Sequence, residues 1–239
     1  MSGTKQKVQK WRIGTLGLGV FIVIVLWTYQ TLLFNGGKMT LPMRVFNVDE
    51  IDDMCHVAKF RIFADNYQFY ICDPDRATSM EKMFGAVINM STAHCERGWT
   101  RTSSAITCFT IQDLNDHRID VFVGKEYDGH NGATRVLCQT LNLSCGRLHL
   151  FGAVHDETEI RIPPGDYSIY VRGFNFGVGI EEFIENNEEF LERSDMERYE
   201  IVLVPGTAAK EGIVFGPENL HDVISTHPNP LPEGQGTLE

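Results

Sequence analysis

IRIPPGDYSIYVRG, running from Ile160 to Gly173, decides how the chain is read. Ile160 and Ile162, then Tyr167, Ile169 and Val171, are apolar at every second position, the period of a strand with one face buried. Between the two sets, Pro164 presets φ for the second position of a turn. Gly165 supplies the positive φ that a type II turn needs at its third. The stretch predicts a connected pair of strands.

The same period recurs from Lys59 onward. Phe60, Ile62 and Ala64 alternate with Lys59 and Arg61, and Tyr67, Phe69 and Ile71 alternate with Gln68, Tyr70 and Cys72. Further runs cover Ala105–Ile111, Arg118–Val123, Thr134–Leu141, Arg147–Phe151, Glu159–Ile162, Tyr167–Arg172 and Tyr199–Val204. About nine short strands separated by turn-rich segments predict a mainly β fold, an antiparallel β-sandwich over residues 56–225.

One insertion, near 174–198, breaks the pattern. In GFNFGVGIEEFIENNEEFLERSDMER the apolar residues Ile180, Phe183, Ile184, Phe190 and Leu191 recur at roughly helical spacing among many acids. This predicts an amphipathic helix on the sheet with an acidic outer side. Glu181, Glu182, Glu188 and Glu189 are its expected contacts with a basic partner. An EF-hand loop, with its glycine and terminal Glu, is absent, so calcium has no motif here.

Upstream of the strands, residues 13–34 carry no Asp, Glu, Lys or Arg. About 20 helical residues cover the roughly 30 Å of a bilayer's hydrocarbon layer, so this run predicts a single transmembrane helix. It is long for the apolar part of a signal peptide, and no small-residue cleavage pattern follows Phe34. Lys5, Lys7, Lys10 and Arg12 precede it, whereas Lys38 and Arg44 are the basic residues soon after. The positive-inside rule then puts residues 1–12 in the cytoplasm and the rest outside it. Residues 35–55 read as a spacer, and 226–239, rich in Pro and Gly, as a disordered tail.

The chain has 21 basic and 32 acidic residues; four of the basic and none of the acidic ones lie in residues 1–35, leaving a balance of −15 beyond them. Such a domain is repelled by nucleic-acid phosphates, which disfavours direct nucleic-acid binding, and it attracts basic proteins. Six cysteines, Cys55, Cys72, Cys95, Cys108, Cys138 and Cys145, follow the span. Outside the cytoplasm, at least one disulfide is expected among them, with the pairing open.

Catalytic motifs are missing: no G-x-S-x-G, H-E-x-x-H, Walker loop or dinucleotide-binding glycine pattern occurs between a strand and a helix. The eight histidines are scattered. Asp116–His117 and His155–Asp156 are adjacent pairs, and neighbours on a strand face opposite ways, so neither forms an acid–base unit. No catalytic, cofactor or metal residue is therefore assigned, and no cofactor is expected. Asn89-Met90-Ser91 and Asn142-Leu143-Ser144 match the N-glycosylation pattern.

FRIFADNYQFYICDPD (Phe60–Asp75), LNLSCGRLHLFG (Leu141–Gly152), IRIPPGDYSIYVRG and RYEIVLVPG (Arg198–Gly206) resemble, in that order, the bacterial ComJ-like family of small β-proteins. The resemblance spans about residues 58–206. It implies a β-sandwich and a non-enzymatic inhibitory role toward a nuclease; it does not account for the anchor, the six cysteines or the acidic insertion. The expected function is a membrane-anchored, extracytoplasmic protein-binding module. Two alternatives are a glycan or small-ligand receptor using Tyr67, Tyr70, Tyr170 and Phe174, and a hydrolase assembled from distant His and Asp residues.

Overall fold

The computed structural model describes residues 53–64, 67–86, 91–111, 115–152, 157–179, 184 and 186–225. Every described residue belongs to one compact unit, within Met43–Glu239. The apolar run 13–34, the spacer as far as residue 52 and the tail 226–239 lie outside the described residues. Among the described residues, no helix is long and apolar enough to cross a membrane.

The described strands are β1 (Cys55–Ala64), β2 (Gln68–Cys72), β3 (Trp99–Arg101), β4 (Ala105–Phe109), β5 (Asn115–Val123), β6 (Arg135–Leu143), β7 (Arg147–Gly152), β8 (Glu157–Arg161), β9 (Gly165–Phe174), β10 (Arg198–Pro205) and β11 (Gly212–Phe215). Four short helices accompany them: α1 (Ser79–Phe84), α2 (Thr92–Arg97), α3 (Asn187–Glu192) and α4 (Leu220–Ser225). A six-stranded sheet has the order β1-β5-β10-β9-β6-β11, and a five-stranded sheet the order β3-β4-β2-β7-β8. One apolar core joins them, with Ile62, Ile119 and Ile201 from the first sheet and Phe69, Ile106 and Leu150 from the second. Each such side chain contributes about 1.5 to 3 kcal/mol by leaving water.

All nine expected strands are present, and β3 and β11 are additional; at three and four residues they are too short for alternation to show. The antiparallel expectation needs one correction: β5 and β10 pair in parallel, Arg118 opposite Arg198 through Val123 opposite Leu203.

The Pro-Pro-Gly stretch also departs from its reading. β8 pairs with β7 in one sheet, whereas β9 pairs with β6 and β10 in the other, so the turn carries the chain between sheets. Alternation identifies a strand but not its neighbour. Gly165 has φ of 159°, close to extended and far from the value a type II turn requires. The corner is tied instead by the Tyr167 hydroxyl, which donates to the Pro163 carbonyl at 2.7 Å, and by Ile162 N, which donates to Gly146 O at 3.0 Å.

Central strands are covered on both sides. All five residues of β2 are buried: Phe69 and Ile71 face the main core, while Tyr70 and Cys72 join Ala77, Ala86, Ala105 and Phe151 in a second cluster on the opposite face. The segment through α1 supplies Ala77 and Ala86 to that cluster. α1 itself starts with a capping box, Glu81 N donating to Thr78 Oγ1 at 3.2 Å and Thr78 N to Glu81 Oε2 at 2.7 Å.

All six cysteines are free thiols, which corrects the disulfide expectation. The fold separates them: Cys108 points into the main core, Cys72 into the second cluster, and Cys138 lies on β6 of the other sheet. Burial pushes the Cys72 and Cys108 thiols up to about 12 and Cys138 up to about 11, as for small apolar side chains.

Asp73 ties the β6–β7 turn to the segment after β2. Its buried carboxylate accepts from Ser144 N at 2.8 Å, Ser144 Oγ at 2.9 Å, Cys145 Sγ at 3.2 Å and Asp75 N at 2.8 Å. Burial alone would raise its pKa, but these donors outweigh it and hold the group below its ordinary 3.8. A depressed carboxylate stabilises the fold above its unfolded pKa, and that contribution is lost as pH falls through the folded value. Asp73→Asn should therefore cost about 1 to 3 kcal/mol near neutrality, by leaving donors unmatched. It should also flatten the fall in melting temperature on acidification below the ordinary value; an acid limb identical to that of the unsubstituted protein would count against this role.

Candidate functional site

The charged residues converge on the outer face of the six-stranded sheet. Arg61 on β1 lies opposite Arg118 on β5, and Arg118 lies opposite Arg198 on β10, so three arginines stand in a row across adjacent strands. Like charges in directly opposed positions repel. Acids two positions away in register offset them: Arg61 pairs with Asp116, Arg118 Nε with Asp120 Oδ2 at 2.6 Å, and Arg198 Nη1 with Glu200 Oε1 at 2.9 Å. His56 Nε2 adds a 3.0 Å contact to Asp120. Arg172 on β9, opposite Glu200, bridges Glu200 at 3.3 Å and Asp128, and its guanidinium lies 4.9 Å from the Tyr127 ring centre.

The acidic insertion lies over this row. Arg61 Nη1 donates to Ile184 O at 2.9 Å, and Arg118 Nη1 to Arg193 O at 3.0 Å, so two arginines hold backbone carbonyls on either side of α3. Phe190 is fully buried, with the Arg61 guanidinium 4.6 Å from its ring centre. Lys59 Nζ reaches Glu192 at 3.2 Å, and Asn186 caps the helix by accepting from Glu188 N at 3.0 Å.

Among the described residues the helix α3 covers six, Asn187–Glu192; residues 180–183 and 185 of the amphipathic pattern lie outside the described residues, and Gly173 and Phe174 belong to β9. Of the expected partner contacts, Glu188 and Glu189 are exposed in its first turn, while Glu181 and Glu182 lie outside the described residues. Neighbouring acids are taken up, Glu192 by Lys59 and Asp195 by Arg193 at 2.6 Å. Among the described residues, the carboxylates of Glu188 and Glu189 form no ion pair.

The other candidate residues do not assemble. Tyr67 is 41% exposed, but Tyr70 and Phe174 are buried and Tyr170 is half-buried, stacked on Tyr127 with ring centres 3.8 Å apart. The aromatic receptor surface is thus absent as drawn, because both faces of the central strands are covered. Asp116 faces the arginine row, whereas His117 points into the core with 1% exposure; His155 and Asp156 lie outside the described residues. Among the described residues, no three His, Cys, Asp or Glu side chains are grouped to hold a metal. The Asn142 side chain is engaged, donating to Asp166 at 2.7 Å and accepting from Arg76 at 3.0 Å; Asn89 is outside the described residues.

Sequence reasoning passed over the arginine row. Its signal is Arg-x-acid within a strand, as in Arg118-Ile119-Asp120 and Arg198-Tyr199-Glu200, which puts an ion pair on one face of the pleat.

No protein-family model and no curated protein matches the chain. Among solved structures it is similar to ComJ, inhibitor of the DNA degrading activity of NucA, from Bacillus subtilis. The identity is 12% and the TM-score 0.49, over 64% of this chain and 98% of that one. It is also similar to the product of crocagin biosynthetic gene J, at 11% identity and a TM-score of 0.42, over 64% of this chain and 97% of that one. ComJ gives its name to the family that the quoted segments resemble. Likeness at this level says nothing about what this chain binds.

Proposed function

We propose that the chain is a non-catalytic module that binds a basic protein through the acids of its insertion, Glu181, Glu182, Glu188 and Glu189, and that residues 13–34 anchor it in a membrane with the β-domain outside the cytoplasm. The observation that carries the reading is the presentation of Glu188 and Glu189. They sit exposed on a helix clamped by Phe190 and Arg61, while the adjacent acids have counter-charges of their own. The −15 balance beyond residue 35 adds a long-range field of the same sign. Within this reading, a nuclease is the partner class that the segment resemblance implies, since a nuclease presents basic groups to phosphate.

The test uses residues 36–239 as bait, followed by association kinetics of the captured protein. Opposite charges steer encounter over a screening length of about 10 Å at 0.1 M salt and about 3 Å at 1 M. The on-rate should fall with salt, and replacing all four glutamates by Gln should lower it roughly tenfold at low salt, with the melting temperature nearly unchanged. Rates indifferent to both salt and the substitutions would refute the reading. The topology is tested separately: protease added to intact cells should remove the β-domain, and its protection would reverse the orientation.

A further inference from the structure

Arg135, the first residue of β6, is 5% exposed and lies within the fold. Its Nε donates to Pro217 O at 2.9 Å, and its Nη2 to Glu218 O at 2.7 Å and to Arg97 O. These carbonyls, at the end of α2 and in the approach to α4, satisfy donors but carry no net charge. Among the described residues Arg135 forms no ion pair. Burial pulls its guanidinium down to about 10, so it remains cationic at neutral pH.

Nη1 takes none of those carbonyls and faces Gly98: a Cβ on that glycine would stand 2.7 Å from it. A cavity of about 20 Å³ lies on this side, lined by Gly98, Cys108, Arg135, Leu137, Val171 and Tyr199 among others. That volume suits one small occupant, since about 10 to 15 Å³ is needed for a water. A buried water also needs two to four polar partners. This wall offers few: the Tyr199 hydroxyl donates to Glu197, and burial keeps the Cys108 thiol neutral, with its pKa near 12. Glu197, on the far side of that hydroxyl, is itself held by Ile111 N at 2.9 Å and Gly177 N at 3.0 Å. The cavity therefore presents one cation among mainly apolar groups, offset only at longer range by the Glu218 carboxylate, and a buried charge without a close counter-charge is costly.

We infer that this cavity binds a single chloride-sized monovalent anion against Nη1 of Arg135. The probes are chloride and bromide, exchanged against gluconate, which is too large to enter, at constant ionic strength. The melting temperature of the full chain should rise by about 3 to 5 °C for each tenfold increase in halide beyond its dissociation constant. Arg135→Met should abolish the dependence. Should that variant not fold, Val171→Ile serves, because its added methyl group fills the cavity from the wall and should likewise remove the dependence. Crystals soaked in bromide should show anomalous density beside Nη1. A melting temperature that follows ionic strength alone, or a water at that position in the bromide crystals, would overturn the inference.

Discussion

Arg172→Met is expected to destabilise the domain by about 3 kcal/mol and to lower its melting temperature by roughly 6 to 12 °C. The side chain is 2% exposed and joins Glu200 on β10 to Asp128 in the segment before β6. Burial works against its charge, but hydrogen bonds to the Tyr127 hydroxyl and Asp128 outweigh that, so the guanidinium is held above its ordinary pKa. Removing one member of a buried pair typically costs about 3 to 5 kcal/mol, because the other is left without compensation. The lower end applies here. Glu200 keeps Arg198 at 2.9 Å, and Asp128, 37% exposed, can turn to solvent. For the same reason Asp128→Ala should cost less than about 1 kcal/mol. Thermal melts of the two variants separate the cases, and equal losses would show that the cation's burial is not what matters.

Phe190→Ala should have an effect of similar size but confined to one place. Deleting a fully buried Phe side chain costs about 3 to 5 kcal/mol. A six-residue helix has little stability of its own. The expected outcome is detachment of α3, with the sandwich retained. Hydrogen exchange should accelerate about 100-fold to 1000-fold at the amides of Phe190 and Arg193, which bond to Asn186 O at 3.0 Å and Phe190 O at 3.1 Å. Amides of β5 and β9 should keep their protection. Unchanged exchange at Phe190 would mean that the helix is held by something other than this ring.

The sheets were legible because alternation is a local property: Phe60 and Ile62, or Tyr167 and Ile169, show it within a few residues. What a strand pairs with is not local. Ile160 and Tyr167 lie seven positions apart in the chain, yet they enter different sheets, and the two prolines between them read equally well as a hairpin or a crossover. Burial of the second face was hidden for the same reason. Tyr70 and Phe174 occupy positions that alternation assigns to solvent, and they are covered by segments distant in sequence. The acids Glu188 and Glu189 were readable from composition. The row formed by Arg61, Arg118 and Arg198 was not, since it requires the register of three strands that meet only in space.

The parallel pairing of β5 with β10 also sets when the domain can fold. Among the described strands, β10 is the link between the β1–β5 ladder and the β9–β6–β11 ladder, so a nascent chain ending before Arg198 contains two incomplete pieces of one sheet. Pairings of such long sequence separation form late, because their loop-closure entropy is lost before the contacts form. The sheet can thus close only once Pro205, the last residue of β10, has emerged. A chain threaded through a translocation channel would cross in an extended state and complete its sandwich on arrival, whereas a chain released in the cytosol would expose the edges of both half-sheets until β10 inserts.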